Sequence, residues 1–329
     1  MSLRIIKAGI LDTIQDQGRF GYSHLGIHPT GVMDKYASQL ANCLLGNDLN
    51  SPVIEMHFPA AILEFKSETI ICLTGGDLAP TLNGNTCPIY QPLLVPSNSV
   101  LQFTRIVSGS RCYLAVAGGV QVEEWLASCS TDLKAQAGGL DGSKLLAGTL
   151  IPIKKSAVKR KKVTEKVMLL PWKVNEVEYF KKNTIGILEG LHWNDITYQS
   201  KKIVLNESFE ISHLSDRMGY KLKGEEIKRN DPKELLSTAV VFGSIQLLPD
   251  GQLIILMADH QTTGGYPQIA HVISTDLPVL AQMNPKTQIR FTFTNIETAE
   301  TRIFRQQQYL QELHSSCKIK MHAFIHDNT

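Results

Sequence analysis

The chain has 329 residues, of which 43% are hydrophobic and 19% charged, the balance of a globular protein that buries a large core in one or two domains. Its 33 Lys and Arg against 31 Asp and Glu leave a formal charge of +2, which argues against a dedicated nucleic-acid binder, and no run approaches the roughly 18 apolar residues of a membrane span. Six scattered cysteines without a C-x-x-C pair, and an N-terminus without a signal-peptide run, lead us to expect reduced thiols, no metal site and a cytoplasmic protein.

In chain order, the first clear element is a helix. Ala37, Leu40, Ala41, Leu44 and Leu45 form an i, i+3, i+4, i+7, i+8 stripe, with Asp34 placed to cap its start and Gly46 after its last turn. Residues 53–58, 61–65 and 69–74 are rich in β-branched and aromatic side chains and read as strands. Asn83-Gly84 is a hairpin turn, since both residues tolerate positive φ. A further strand at 112–117 is stopped by Gly118-Gly119.

Residues 154–166 hold seven Lys or Arg and almost nothing apolar, which reads as a solvated linker. We therefore expect an N-terminal β-rich module at 1–153, a basic linker at 154–166, a C-terminal module at 167–297 and a helical tail at 298–329. Beyond the linker, 209–213 is a strand, 244–248 pairs with 252–257 across Pro249-Asp250-Gly251, and 288–293 alternates as a half-buried strand does. The closing helix is expected to begin at Thr294 with Glu297 completing a capping box, and to carry a seam of Ile296, Ala299, Ile303, Leu310 and Leu313. Many short strands with few helices predict a mainly β protein, a barrel or sandwich in each half.

Several familiar chemistries are missing. The sequence has no P-loop, no Rossmann glycine fingerprint, no H-E-x-x-H and no EF-hand pattern. Three glycine-punctuated segments remain. Gln15-Asp16-Gln17-Gly18-Arg19-Phe20-Gly21 sets carboxylate and guanidinium on a permissive backbone, suited either to a polar ligand or to an Asp–Arg pair pinning the loop. Ser212 to Gly219 follows a strand, where a sharp turn is expected to expose Asp216 and Arg217; arginine is the natural fork for a carboxylate or phosphate, and an internal ion pair is the alternative. In the third, Asp259, Gln261, Thr262, Gly264, Gly265 and Tyr266 follow an apolar strand directly, more hydrogen-bonding groups than a turn requires.

These three segments, with Ser128-Cys129-Ser130-Thr131 and Gly138-Gly139 between them, resemble the KipA or allophanate-hydrolase-subunit-2 family from about Leu3 to Phe293. The resemblance implies two cyclophilin-like β-barrel modules with a few peripheral helices. It implies a KipI-like partner subunit and a LamB/YcsF-like one, and an ATP-dependent 5-oxoprolinase that opens 5-oxo-L-proline to L-glutamate. ATP is then bound by this chain or by a partner, no biotin is attached to this chain, and neither nucleic acid nor membrane is a partner. Within that activity the expected catalytic carboxylates are Asp259, Asp216 and Asp16. A small amide substrate would be held by Arg217, Arg19, Gln246, Gln261, Thr262, Gly264, Gly265 and Tyr266. The chain departs from the family pattern at Cys129, Ser143, Thr149, Thr238 and Phe242. Two other functions fit the same resemblance: carboxyl transfer to a urea-like acceptor, and a non-enzymatic antagonist of a KipI-like inhibitor of a sensor kinase.

Overall fold

The computed structural model describes residues 1–154, 166–175, 181–231 and 233–326. Most of the expected basic linker lies outside the described residues. The chain divides into two units: residues 1–18, 34–178 and 307–329 form the first, and 19–33 with 179–306 the second. This differs from the expected split near residue 154. Met168 and Leu169 belong with the first unit because they extend one of its sheets, and residues 19–33 belong with the second because Met33 is buried in its core.

Among the described residues the first unit holds twelve strands in chain order: β1 (Ser2–Lys7), β2 (Thr13–Gln15), β3 (Val53–His57), β4 (Ile62–Phe65), β5 (Thr69–Asp77), β6 (Pro80–Leu82), β7 (Asn85–Thr86), β8 (Leu93–Val95), β9 (Val100–Phe103), β10 (Ser108–Val116), β11 (Leu150–Pro152) and β12 (Met168–Leu169). They make two six-stranded sheets, β11-β1-β4-β9-β6-β7 and β12-β8-β5-β10-β3-β2. Asn83 and Gly84 turn β6 into β7 with φ of 52° and 80°, the left-handed pair that such a hairpin requires. Leu3, Ile5, Leu63 and Phe65 from one sheet and Ile54, Ile71, Leu73 and Leu114 from the other share a single apolar core.

The second sheet is buried on both faces. Its alternate residues meet helix α1 (Lys35–Leu44), so β5 reads as a continuous apolar run rather than a simple alternation. Asp34 caps α1 by accepting from the Ala37 amide at 2.8 Å, as its place before the apolar stripe predicts.

The second unit is a closed barrel, β13-β20-β17-β18-β15-β14-β21. Its strands are β13 (Thr184–Glu189), β14 (Ser208–Ile211), β15 (Gly219–Lys223), β16 (Thr238–Ala239), β17 (Ser244–Leu247), β18 (Leu253–Leu256), β19 (Thr263–Gly264), β20 (Gln268–Val272) and β21 (Gln288–Phe293). Strands β16 and β19 pair separately from the barrel. Inward residues such as Ile185, Phe209, Leu222, Ile255 and Phe291 fill it, and α2 (Tyr198–Asn206) and α3 (Leu277–Ala281) add Val204 and Leu280 to that core. The mainly β expectation is met, with the barrel in the second unit and two sheets in the first.

The last helix, α4, runs from Ile296 to His326. Its start corrects the sequence reading: Asn295 Oδ1, not Thr294, accepts from the Thr298 amide at 2.9 Å. Ile296 is exposed, and the buried seam is Leu310, Cys317 and Met321. Among the described residues, no helix is long and apolar enough to cross a membrane, and no group of three or more His, Cys, Asp or Glu is placed to hold a metal ion.

Candidate functional site

In the second unit the antiparallel ladder of β15 and β18 continues past its last pair, Gly219 opposite Leu256. Met257 N donates to Met218 O, and Asp259 N donates to Arg217 O at 2.8 Å. That extension sets Arg217 and Asp259 beside one another although 42 residues separate them. The guanidinium meets the carboxylate side-on: Nε donates to Oδ2 at 2.7 Å and Nη2 to Oδ1 at 2.9 Å. Nη2 also donates to the Gly31 carbonyl at 2.6 Å. Arg217 is 5% exposed, so the expectation of an exposed arginine is corrected. A guanidinium this deep needs a counter-charge, and Asp259 supplies it.

Asp216 does not join this pair. It is exposed, as its place in the turn predicts, and its Oδ1 accepts from the amides of Met218 at 2.8 Å and Gly219 at 3.2 Å, which closes the β14–β15 hairpin. In this structure it is a turn residue.

The segment after Asp259 is laid against the barrel by two glutamines. Gln246 is buried, and its Nε2 donates to Tyr266 O at 3.4 Å. A Cβ at Gly264 would stand 2.5 Å from that same nitrogen, so any larger residue would have to displace the Gln246 amide. Gln268 Nε2 donates to Thr238 Oγ1 at 2.9 Å and Ala239 O at 3.0 Å, which ties β16 to the start of β20. Gln261 and Thr262 are partly buried between Asp259 and β19. His260 is buried, and its Nδ1 lies 2.6 Å from Gln261 O. Gly265 and Tyr266 are exposed and line a groove of about 740 Å³ with Lys228, Arg229 and Lys233. Arg229 and Gln268 carry no signal in the sequence, since neither stands in a glycine-marked segment.

The first unit holds a different constellation. Asp16 directly follows β2 and is only 8% exposed. Its Oδ1 accepts from Gly18 N at 2.9 Å, from Ser128 Oγ at 2.7 Å and from Ser130 Oγ, while its Oδ2 accepts from Cys129 N. Four donors thus hold the carboxylate and pin residues 128–130 to the end of β2. Gln15 Nε2 adds a bond to Thr131 O at 3.2 Å. Gly139 packs on the same segment, where a Cβ would stand 2.0 Å from Thr131 Oγ1.

Lys35 opens α1 close to Asp16. Burial lowers its ammonium below the usual 10.5, and the Asp16 charge opposes that shift. Beneath the helix start, Glu55 and Tyr113 are fully buried: Tyr113 OH donates to Glu55 at 2.9 Å and accepts from Asp34 N at 2.8 Å. Burial, with the Glu55 charge, holds the Tyr113 phenol well above 10. Lys35, Glu55 and Tyr113 do not stand out in the sequence, although Lys35 directly follows the cap residue Asp34.

Arg19 belongs to the second unit, buried at 1% exposure, with Nη1 donating to Thr30 Oγ1 at 3.1 Å and its amide to Pro29 O at 2.6 Å. The loop from 19 to 31 is therefore closed on itself by this arginine.

Against known proteins, residues 25–293 match the family model of the carboxyltransferase domain, subdomain A and B. The sequence is 37% identical to the C-type subunit of 5-oxoprolinase from Escherichia coli, over 94% of this chain and 97% of that protein. It is 36% identical to the corresponding 5-oxoprolinase protein of Haemophilus influenzae, over 92% of this chain and 94% of that protein. The crystal structure of the Kluyveromyces lactis urea carboxylase superposes with a TM-score of 0.85 and 25% identity, covering 95% of this chain and 29% of that one.

Proposed function

The chain belongs to the family of carboxyltransferase domains, subdomains A and B, and on that premise we propose that it is the C-type component of a 5-oxoprolinase. One observation carries the reading: identity of 37% that runs end to end, over 94% of this chain and 97% of the E. coli 5-oxoprolinase protein. That relative is named as one lettered subunit, which supports a hetero-oligomer. In our reading the partners are a KipI-like and a LamB/YcsF-like subunit, and the reaction hydrolyses 5-oxo-L-proline to L-glutamate with ATP.

A lactam amide is a poor electrophile. ATP makes it reactive by phosphorylating its oxygen, which releases ADP. One water then adds to the ring carbon, the C–N bond opens to an amine and an acyl phosphate, and a second water releases phosphate to leave the carboxylate. The residues suited to this chemistry are Asp259, as amide anchor or base, and Arg217, which orients it through the side-on pair. Gln246, Gln261, Thr262 and the Gly264-Gly265-Tyr266 segment are the proposed donors to the amide. Asp16, enclosed by serine hydroxyls and amides, organises residues 128–130 rather than moving a proton. Asp216 shapes the hairpin.

The test is reconstitution with partner subunits. Glutamate should form from 5-oxo-L-proline and ATP only when this chain is present, and the chain alone should not turn over. Asp259→Asn should lower turnover by about a hundredfold or more while the complex still assembles, the loss expected for a general base. Arg217→Lys should mainly lower kcat, since lysine cannot reproduce the fork that orients Asp259.

The likeness to urea carboxylase favours a second reading, carboxyl transfer to a urea-like acceptor by separate biotin-bearing partners. Carboxylation of urea without glutamate release would select it.

A further inference from the structure

Two of the six cysteines face each other across two helices of the first unit. Cys43 lies on α1 and Cys317 on α4, both buried, and their thiols are neighbours. Cys43 Sγ also donates to Leu310 O at 3.6 Å, about two turns before Cys317 on α4. The helices approach closely enough here that a Cβ on Gly46, just after α1, would stand 3.2 Å from the Lys318 Cα. Further along, Trp172 Nε1 donates to Leu44 O at 3.0 Å and its ring meets Phe324 edge-on at 6.2 Å. The later half of α4 is thus seated on α1 and Trp172.

We propose that Cys43 and Cys317 form an oxidative modification site, where a peroxide-class oxidant converts the thiol pair into a disulfide that fastens the C-terminal helix to α1.

The two thiols are unequal. Contact with Cys43, and then the Lys320 charge, holds the Cys317 thiol below its usual 9.0 against the opposing effect of burial. Cys43 is pushed up, first by that same contact and then by burial. Cys317 is therefore the attacking sulfur. Its thiolate displaces hydroxide from hydrogen peroxide to give the sulfenic acid, and the hydroxide takes up a proton. Cys43 sulfur then attacks the sulfenic sulfur and expels water. Two thiols and one peroxide become one disulfide and two waters. The thiols lose two electrons, and the peroxide gains them.

A disulfide asks for Cα atoms about 4.4–6.8 Å apart, and the close approach at Gly46 and Lys318 brings α1 and α4 together beside the two thiols. The oxidant reaches them by local opening of α4 away from α1, one of the partial openings that folded proteins sample. Cys87 and Cys112 lie in the core between the sheets, and Cys72, on β5, lies near both thiols of the pair; burial raises all three, and they are expected to stay reduced.

The full-length protein, folded at neutral pH, is treated with hydrogen peroxide, quenched, unfolded and alkylated. Alkylatable thiols should fall from six to four, the mass should drop by two hydrogens, and a cross-linked peptide should join the Cys43 and Cys317 segments. Dithiothreitol should restore all six. Cys43→Ala and Cys317→Ala should each abolish the bridged peptide; if either variant fails to fold, the wild-type peptide map decides. Six persisting thiols, a bridge between any other pair, or sulfinic acid at Cys317 without a bridge would each overturn the proposal.

Discussion

The two units hold an aspartate beside a glycine-marked loop by opposite means. In the barrel, Asp259 is gripped by one cation, Arg217, in a side-on pair. In the two-sheet unit, Asp16 is gripped by two hydroxyls and two backbone amides. A cation brings charge that must itself be desolvated, so the pair is costly to break from either side. Neutral donors spread the work, and each can be lost at smaller cost. The barrel arrangement suits a site whose charge matters. The sheet arrangement suits a buried hinge-point whose shape matters.

The sharpest way to break this contrast is Arg217→Ala. It leaves the Asp259 carboxylate without its guanidinium and the Gly31 carbonyl without that donor, and should cost about 3 kcal/mol, the low end for a broken buried pair because Asp259 keeps some exposure. Chemical denaturation should show it. A loss under about 1 kcal/mol would mean that the pair behaves as a surface one.

A third carboxylate sharpens the comparison through pH. Asp12 accepts the His57 and Ala61 amides, at 3.0 and 2.6 Å, and burial raises it from 3.8 to about 6 despite those bonds, with the nearby Glu55 charge adding to the rise. Its folded value lies above its unfolded one, so between about pH 4 and 6 the folded state binds the extra proton. Stability from this group is full below pH 4 and is lost as pH rises through about 6, by roughly 3 kcal/mol in all. Denaturation midpoints across that window should show the fall, and Asp12→Asn should flatten it. An unchanged slope in the variant would assign the effect elsewhere.

The smallest effect is expected from Asp16→Asn. The side chain keeps its shape, but its amide nitrogen must face one of the former donors, for about 1–2 kcal/mol. Assembly with partners should persist. If this variant proved as damaging as Arg217→Ala, the distinction between the two units would fail.

Local structure is readable where a side chain states its own environment. The stripe from Ala37 to Leu45 with Asp34 before it marks α1 and its cap, and the alternation over Gln288–Phe293 marks β21. The end of the chain is less readable, because Thr294 and Asn295 are both good caps and only backbone geometry separates them. The site is half readable. Asp259 and Arg217 both stand out, but not as partners, since their meeting depends on how far the β15–β18 ladder runs beyond its last pair. Polarity in the first unit misleads for a similar reason: Asp16 sits in a loop-like sequence yet is enclosed by residues more than 110 positions away. Glu55 and Tyr113 sit within apolar runs and read as strand filler, although they face each other across β3 and β10.

The division of the chain has a consequence for synthesis. Residues 19–33 carry Met33 into the barrel core and offer the Gly31 carbonyl to Arg217, yet the ribosome makes them well before residue 179, where the rest of that unit begins. At about 5–20 residues per second the interval is roughly 7–30 s. Through that time the early segment has no barrel to join, while the sheets on either side of it are already being completed. The order reverses for the first unit: residues 307–326, which seat on α1, emerge only after the whole barrel segment. Each unit therefore waits on the other's portion of the message, and truncation of the nascent chain near residue 180 would leave both unfinished.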